Sequence, residues 1–451
     1  MNDLKDQTSP AVSVNMKKMT NFRWVVALMI FLVYTVAAAD RANLGMALPF
    51  IRKEFHMTNT EAGALASLFL FAYALAQIPS GFIYSKFGVH RIFSVAMIAT
   101  SVVTGLIGTA GSVFYLKVYR FLLGLAEGPL PLGMTSTINN WFPPKEKGTA
   151  TGIFLSAAKF GPVIVPPLCA WIVIAYGWRE IFYIFAFPGI ILSGIWYVLV
   201  KNKPSESPYC STAEIQYIEG SDEQSKSAQQ ATKREYNLVW LDRLVRAAKI
   251  SPLETKEQIF RSWNIWGSAL GYFFMVAIMN VLLTWIPTYL VTVKKFAIIK
   301  MGIVAAAPWT GAIVGNMVGG WFSDKIINKR RKPNMMFTAF TSIFMMYSLI
   351  HAPNDPYMLA ALMFVLGIFM NIGYSTYMVY PMGLTTKKSY PIACSIVNMA
   401  GQLGGSIAPL ITGMLLDNYS WNAVWFFLAL LCLLCLITLF TIKEPVDDPL
   451  V

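Results

Sequence analysis

Two pairs of oppositely charged residues sit where charge is expensive. Asp40 and Arg41 are adjacent inside a run that carries no other charge from Trp24 to Ile51, longer than the roughly 20 apolar residues needed to cross a bilayer. Arg120 and Glu127 are seven residues apart, which on a helix is two turns along one face and about 10 Å of rise. A charge at the centre of a membrane helix costs about 2.5–3.5 kcal/mol on insertion scales, so such residues mark a function unless they are a structural ion pair. The set contains the parts of a proton-linked anion site. Burial favours the protonated form of a carboxylate and an adjacent arginine the ionised form, while a guanidinium offers a planar fork to a carboxylate ligand. Substrate and proton states then change the same pairings, which couples them. The C-terminal spans hold almost no interior charge, which places coupling in the N-terminal half.

The elements that must position these groups are membrane helices. Of 451 residues 56% are hydrophobic and only 13% charged, too little polar surface for a soluble protein of this length. The net charge of +13 lies mostly in short segments between apolar runs, with no basic block interleaved with aromatics, so no nucleic-acid partner is expected. The expected partners are the lipid bilayer and a small organic anion. Cys432 and Cys435 lie in a Leu-rich span without acidic or histidine neighbours and read as helix packing. His56, His90 and His351 fall at span ends or loops. No Walker loop, nucleophile elbow or metal-ligand spacing is present, so no catalytic residues, metal or cofactor are expected, with protons as the coupling ion.

Apolar runs of spanning length occur near 24–50, 60–84, 92–110, 114–137, 149–174 and 181–200, then near 264–291, 301–323, 335–351, 356–381, 391–415 and 421–442. The expected organisation is an N-terminal tail (1–21), a six-helix half (22–200), a central loop (201–262), a second six-helix half (263–442) and a tail (443–451). Lys17, Lys18 and Arg23 before a run ending in Ala37-Ala38-Ala39 imitate a cleaved signal. Apolar character resumes after Arg41, so an uncleaved anchor is expected. Outside the loop, cytoplasmic termini put sixteen Lys and Arg on the inner side against six on the outer, which satisfies the positive-inside rule. Ser211-Thr212-Ala213-Glu214 has capping-box spacing and predicts a short amphipathic helix at the membrane surface.

Gly81-Phe82-Ile83-Tyr84-Ser85-Lys86-Phe87-Gly88 follows the second span and Gly320-Trp321-Phe322-Ser323-Asp324-Lys325 the eighth, an internal repeat that implies two parallel halves. Both segments resemble the G-x-x-x-D-[RK]-x-G loop of the major facilitator superfamily, in which an acid and a base latch a cytoplasmic gate. Lys86, Arg91, Asp324 and Lys325 are the corresponding gate residues, with Ser85 replacing the usual acid. Asp40-Arg41-Ala42-Asn43-Leu44, Gly124-Leu125-Ala126-Glu127-Gly128-Pro129 with Asn140-Trp141-Phe142-Pro143, and Leu283-Thr284-Trp285-Ile286-Pro287-Thr288-Tyr289-Leu290 narrow the resemblance to the anion:cation symporter family, which includes bacterial galactonate, glucarate and hexuronate transporters. The resemblance covers essentially the whole chain. It implies an all-α membrane protein with the major facilitator fold, twelve transmembrane helices in two six-helix halves.

By resemblance to the galactonate transporters, Asp40 and Glu127 match two protonatable acids, Arg41 an arginine tied to anion recognition, Arg120 its partner in the acidic network and Tyr73 a cavity tyrosine. Lys159 stands where that pattern carries Gln. A third positive charge there would favour a second acidic group on the substrate or change proton stoichiometry; the alternatives are snorkelling or a salt bridge to Glu127. Ser375, Tyr377, Asn398 and Gln402 provide hydrogen-bonding groups on spans ten and eleven for substrate hydroxyls or for helix–helix contacts. Asn398 matches a substrate-contacting Asn. The expectation is a monomeric, proton-coupled symporter of a sugar acid (aldonate, uronate or aldarate) in a bacterial inner membrane, both termini cytoplasmic. An anion exchanger without net proton movement would need no titrating acids. A membrane sensor on the same fold would need a signalling domain that neither the N-terminal segment nor the tail after Lys443 supplies.

Overall fold

In a bilayer every backbone N–H and C=O must be satisfied within the protein, which restricts these apolar runs to helices. The computed structural model describes residues 19–224, 239–328, 330–386 and 389–446. Lys5, Lys17, Lys18, Lys226, Lys233, Arg234, Lys329, Lys387 and Lys388, part of the charge distribution used above, lie outside these residues, as does the side chain of Ser85.

The first half contains α1 (Arg23–Phe55), α2 (Asn59–Phe87), α3 (Val89–Gly108), α4 (Val113–Glu127), α5 (Leu130–Trp141), α6 (Lys147–Ala175) and α7 (Trp178–Leu199). Three short helices follow: α8 (Thr212–Gln224), α9 (Val239–Val245) and α10 (Lys256–Arg261). The second half contains α11 (Trp263–Thr292), α12 (Ile298–Lys325), α13 (Lys332–Ser348), α14 (Pro356–Asn371), α15 (Thr376–Val379), α16 (Tyr390–Asn418) and α17 (Trp421–Thr441). Among the described residues nine helical stretches are long and apolar enough to cross a membrane. With α2, the interrupted α4–α5 pair and the 17-residue α13, they make twelve spans, six per half. Large apolar side chains such as Phe114, Trp171, Phe187 and Met317 point outward, as a lipid-facing surface requires.

The two halves pack alike. α1 lies on α6 as α11 lies on α16, and α3 lies on α7 as α13 lies on α17. Between halves the main pairings are α2 with α16, α6 with α12, and α1 with α11.

The end of the bundle where α1 begins and α17 ends, called here the near end, is tied together by ions. Glu214 of α8 accepts hydrogen bonds from Thr20 Oγ1 (2.6 Å), Phe22 N (2.9 Å), Arg23 N and Arg23 Nη1 (both 3.0 Å), and Arg23 also pairs with Glu146 at 2.7 Å. These bonds hold the Glu214 carboxylate below the usual range despite its burial. The predicted capping box is therefore only half formed. Ser211 accepts from Glu214 N at 3.3 Å, but the Glu214 side chain turns to the start of α1, where a cation and two free helix N–H groups offer stronger partners. In the second half Asp242 of α9 grips Arg330 at 2.5 and 2.8 Å. A two-residue parallel pairing joins β1 (Ala247–Ala248) to β2 (Glu444–Pro445). Each end of the central segment is thus docked on its own half.

Candidate functional site

Close helix packing sets the site. α4 crosses α2 at Gly124, where a methyl group would stand 2.1 Å from the Phe69 carbonyl oxygen; only glycine admits that approach, and it carries Arg120 and Glu127 inward. The fourth span then breaks at Gly128-Pro129, because Pro129 has no N–H to continue the ladder, and Tyr84 donates to the Pro129 carbonyl at 3.1 Å. The fourth span of the second half breaks as well, after Asn371. Glu127 and Asn371 are therefore each the last residue before the break in corresponding spans, the kind of interrupted helix that lines transporter binding sites.

Glu127 is fully buried, and Arg41 reaches it from α1 with Nε at 2.7 Å and Nη2 at 2.6 Å, both to Oε1. Among the described residues Glu127 Oε2 has no hydrogen-bond partner. The Arg41 side chain remains 22% exposed, with its guanidinium 4.8 Å from the Tyr73 ring centre and 5.8 Å from that of Tyr34. Asp40, 1% exposed, accepts from Asn43 Nδ2 at 3.3 Å and lies within electrostatic reach of Glu127, Arg120 and Arg41. Arg120 is buried over the Phe69 ring at 4.5 Å and donates to the Leu65 carbonyl at 3.3 Å, leaving Nη1 unpartnered. The seven-residue spacing does bring Arg120 and Glu127 into one interior, yet the direct partner of Glu127 is Arg41.

Lys159 approaches from α6. It makes no salt bridge to Glu127. Its Nζ donates to Asn371 Oδ1 across the two halves at 3.2 Å and lies 4.5 Å from the Tyr374 ring centre and 5.8 Å from that of Trp309. Tyr272 donates to the Tyr374 hydroxyl at 3.3 Å, and Asn316 Nδ2 reaches Asn371 Oδ1 at 3.4 Å. Arg41 lies within electrostatic reach of Tyr374, so polar groups from both halves neighbour one another in the interior. Tyr34, Tyr272, Trp309, Asn316, Asn371 and Tyr374 are the members that sequence reading missed.

Of the groups expected on spans ten and eleven, Asn398 donates to Gln77 Oε1 across the halves at 3.2 Å, and Gln402 donates to Asn398 Oδ1 at 3.5 Å. Ser375 is half-buried at the start of α15. Tyr377 takes the helix–helix alternative: it is fully buried with its hydroxyl on Cys435 Sγ at 3.1 Å, facing α17. At the near end Lys86, Arg91 and Lys325 are exposed. Asp324 pairs with Arg331 at 2.8 Å within its own half, so it does not bridge the halves.

The sequence profile described as Major Facilitator Superfamily matches residues 30–353 and 301–450. The chain is similar to the probable galactarate/D-glucarate transporter GarP of Escherichia coli (strain K12), 30% identical over 430 residues and covering 91% of this chain and 92% of that protein. It is similar to the D-galactonate transporter of Escherichia coli O6:H1, 29% identical, with 90% and 92% covered. Among solved structures, a bacterial homolog of the human lysosomal transporter Spinster, in an inward-facing and occupied conformation, superposes with a TM-score of 0.73 over 93% of this chain and 96% of that one at 17% identity; this likeness shows a shared fold.

Proposed function

We propose that this chain, which belongs to the Major Facilitator Superfamily, is a proton-coupled importer of a sugar-acid anion, and that aldarates with two carboxylates suit it best. It is a transporter and not an enzyme; its sugar-acid relatives support an organic anion as cargo. The observation that carries the finer reading is the arrangement of these polar groups, in which Arg41 already has Glu127 for a counter-ion whereas Lys159 faces Asn371 and two aromatic rings. A lysine held in a membrane interior without a carboxylate is costly unless an anion neutralises it. A substrate carboxylate supplies that anion.

Glu127 Oε2 is open to a proton. Protonation weakens the hold on Arg41, whose fork then turns to a substrate carboxylate, while Lys159 takes the second. Asp40 and Arg120, behind this pair, set the charge against which Glu127 titrates. Hydroxyls of the sugar chain meet Asn398, Gln402, Tyr73 and the tyrosines of the second half. The rocking bodies are residues 22–200 and 263–442, joined by the loop 201–262. With both termini in the cytoplasm of a bacterium, the near end faces inward, and a monomer is sufficient for the cycle.

A thermal-shift panel on purified protein tests the ligand class, because a ligand that binds only the folded state raises the melting temperature by mass action, about 2.7 kcal/mol at a hundredfold excess over Kd. Galactarate or glucarate should stabilise more than galactonate, and galactonate more than a neutral hexose. Stabilisation by the neutral sugar alone would overturn the anion reading.

A further inference from the structure

Asp417 lies in the last turn of α16, the end of a helix where the backbone dipole disfavours an acid. Its carboxylate serves the other half. Oδ1 accepts from the backbone N–H and the side-chain amide of Asn59, both at 2.8 Å, and Oδ2 from the backbone N–H of Thr60 at 2.7 Å and its hydroxyl at 2.6 Å. Asn59 and Thr60 open α2, and the N-cap of that helix, Thr58, reaches only Glu61 N, at 3.1 Å. Two of the free N–H groups at the start of α2 are therefore satisfied from the opposite half.

The neighbourhood is built around this contact. A methyl group at Gly413, one turn before Asp417, would stand 2.3 Å from the Asn59 carbonyl oxygen, so α16 closes on α2 directly beside it. Arg52, at the end of α1, lies within electrostatic reach of Asp417. Arg52 and Thr288 line an adjacent cavity of about 240 Å³. All of these residues are at the far end, opposite the start of α1 and the end of α17.

We infer that Asp417 is the latch that holds the far end of the transporter shut. The two halves cannot separate there without breaking four hydrogen bonds to a single carboxylate and leaving the acid at the unfavourable end of its own helix. This inference rests on the reading of the chain as two rocking halves, but not on the identity of the substrate. Because it needs no substrate, the test below fails or succeeds independently of the sugar-acid assignment.

Thr288 is 1% exposed at the cavity edge, which makes Thr288→Cys a reporter of opening. The protein carrying it is reconstituted in liposomes and labelled with a membrane-impermeant maleimide from the far-end side, with the protein lacking Thr288→Cys as background. Asp417→Asn keeps the shape but replaces an acceptor oxygen with a donor facing donors. It should raise the labelling rate about fivefold or more, the low end of typical coupling between linked equilibria. Thr58→Ala removes a cap within one half; it should lower the melting temperature and leave labelling unchanged. Unchanged labelling in a folded Asp417→Asn protein overturns the inference, and so does an equal rise in both variants, which would make Asp417 a helix cap only. If Asp417→Asn does not fold, Thr60→Val removes one of the four donors and should shift labelling in the same direction by less; no shift overturns the inference equally.

Discussion

Arg41 holds Glu127 by one oxygen only: both its Nε and its Nη2 converge on Oε1, and Oε2 stays buried without a partner among the described residues. An ion pair meant only to stabilise α1 against α4 would place the guanidinium fork on both oxygens, since the bidentate geometry is the stronger one. The one-sided grip leaves an oxygen ready for a proton and an arginine ready to change partner.

Glu127→Gln should therefore separate coupling from binding. It retains volume and an acceptor for Arg41 but cannot titrate. Accumulation driven by a pH gradient should be abolished, whereas exchange of labelled for unlabelled substrate at equal concentrations persists. Asp40→Asn should behave in the same way. Full uphill transport in either variant would remove that acid from the coupling step.

Arg41→Lys should fail as a conservative change. The ammonium keeps the charge but loses the planar fork and its stacking on Tyr73, and substrate affinity measured by thermal shift should fall about tenfold, near 1.4 kcal/mol. An unchanged affinity would assign the substrate carboxylate elsewhere.

Lys159→Gln restores the amide of the galactonate-like pattern. It should weaken galactarate or glucarate roughly ten- to a hundredfold, the size of a lost hydrogen bond to a charged group of about 1.5–3 kcal/mol, and galactonate much less. The readout is the ratio of the two affinities at a pH well above the carboxyl pKa values. A ratio that does not move, with both ligands binding, would make the Lys159–Asn371 contact a structural tie between halves.

Glu444 supplies a pH-dependent element of stability at the near end. It is 1% exposed and accepts the backbone N–H groups of Arg331 and Lys332, both at 2.7 Å, yet burial pushes its carboxyl from 4.5 up to about 7. The folded form thus binds a proton that the unfolded chain releases between pH 4.5 and about 7, and stability falls as pH rises through that window. The contribution is on the order of 3 kcal/mol. Melting temperatures of wild type and Glu444→Gln should therefore differ by a pH-dependent amount, with wild type losing ground from pH 5 to pH 8. A constant difference would contradict the titration.

The spans and the charged pairs were legible because both are local: an apolar run fixes a membrane helix, and Arg120 and Glu127 share a face by helical period alone. The pairings were not. Arg41 meets Glu127, Lys159 meets Asn371 and Asp417 meets Thr60 only through packing between distant helices, which no spacing in one segment encodes. Tyr374 and Tyr377 show a second limit. They lie on either side of the start of α15, where the break after Asn371 resets the helical phase, so periodicity could not tell which of them faces Lys159. The central loop shows a third. Ser211 and Glu214 have the spacing of a local cap, but the unpaired N–H groups of α1 and the Arg23 guanidinium compete for the same carboxylate and win.

The most direct test of proton-coupled import is uptake of labelled glucarate into proteoliposomes that hold no internal anion, with the outside acidic and the inside neutral. Proton-coupled import predicts transient accumulation above the external concentration that collapses when a protonophore dissipates the gradient. Uptake that ignores the gradient and occurs only when the vesicles are preloaded with a second organic anion would contradict it and identify an exchanger.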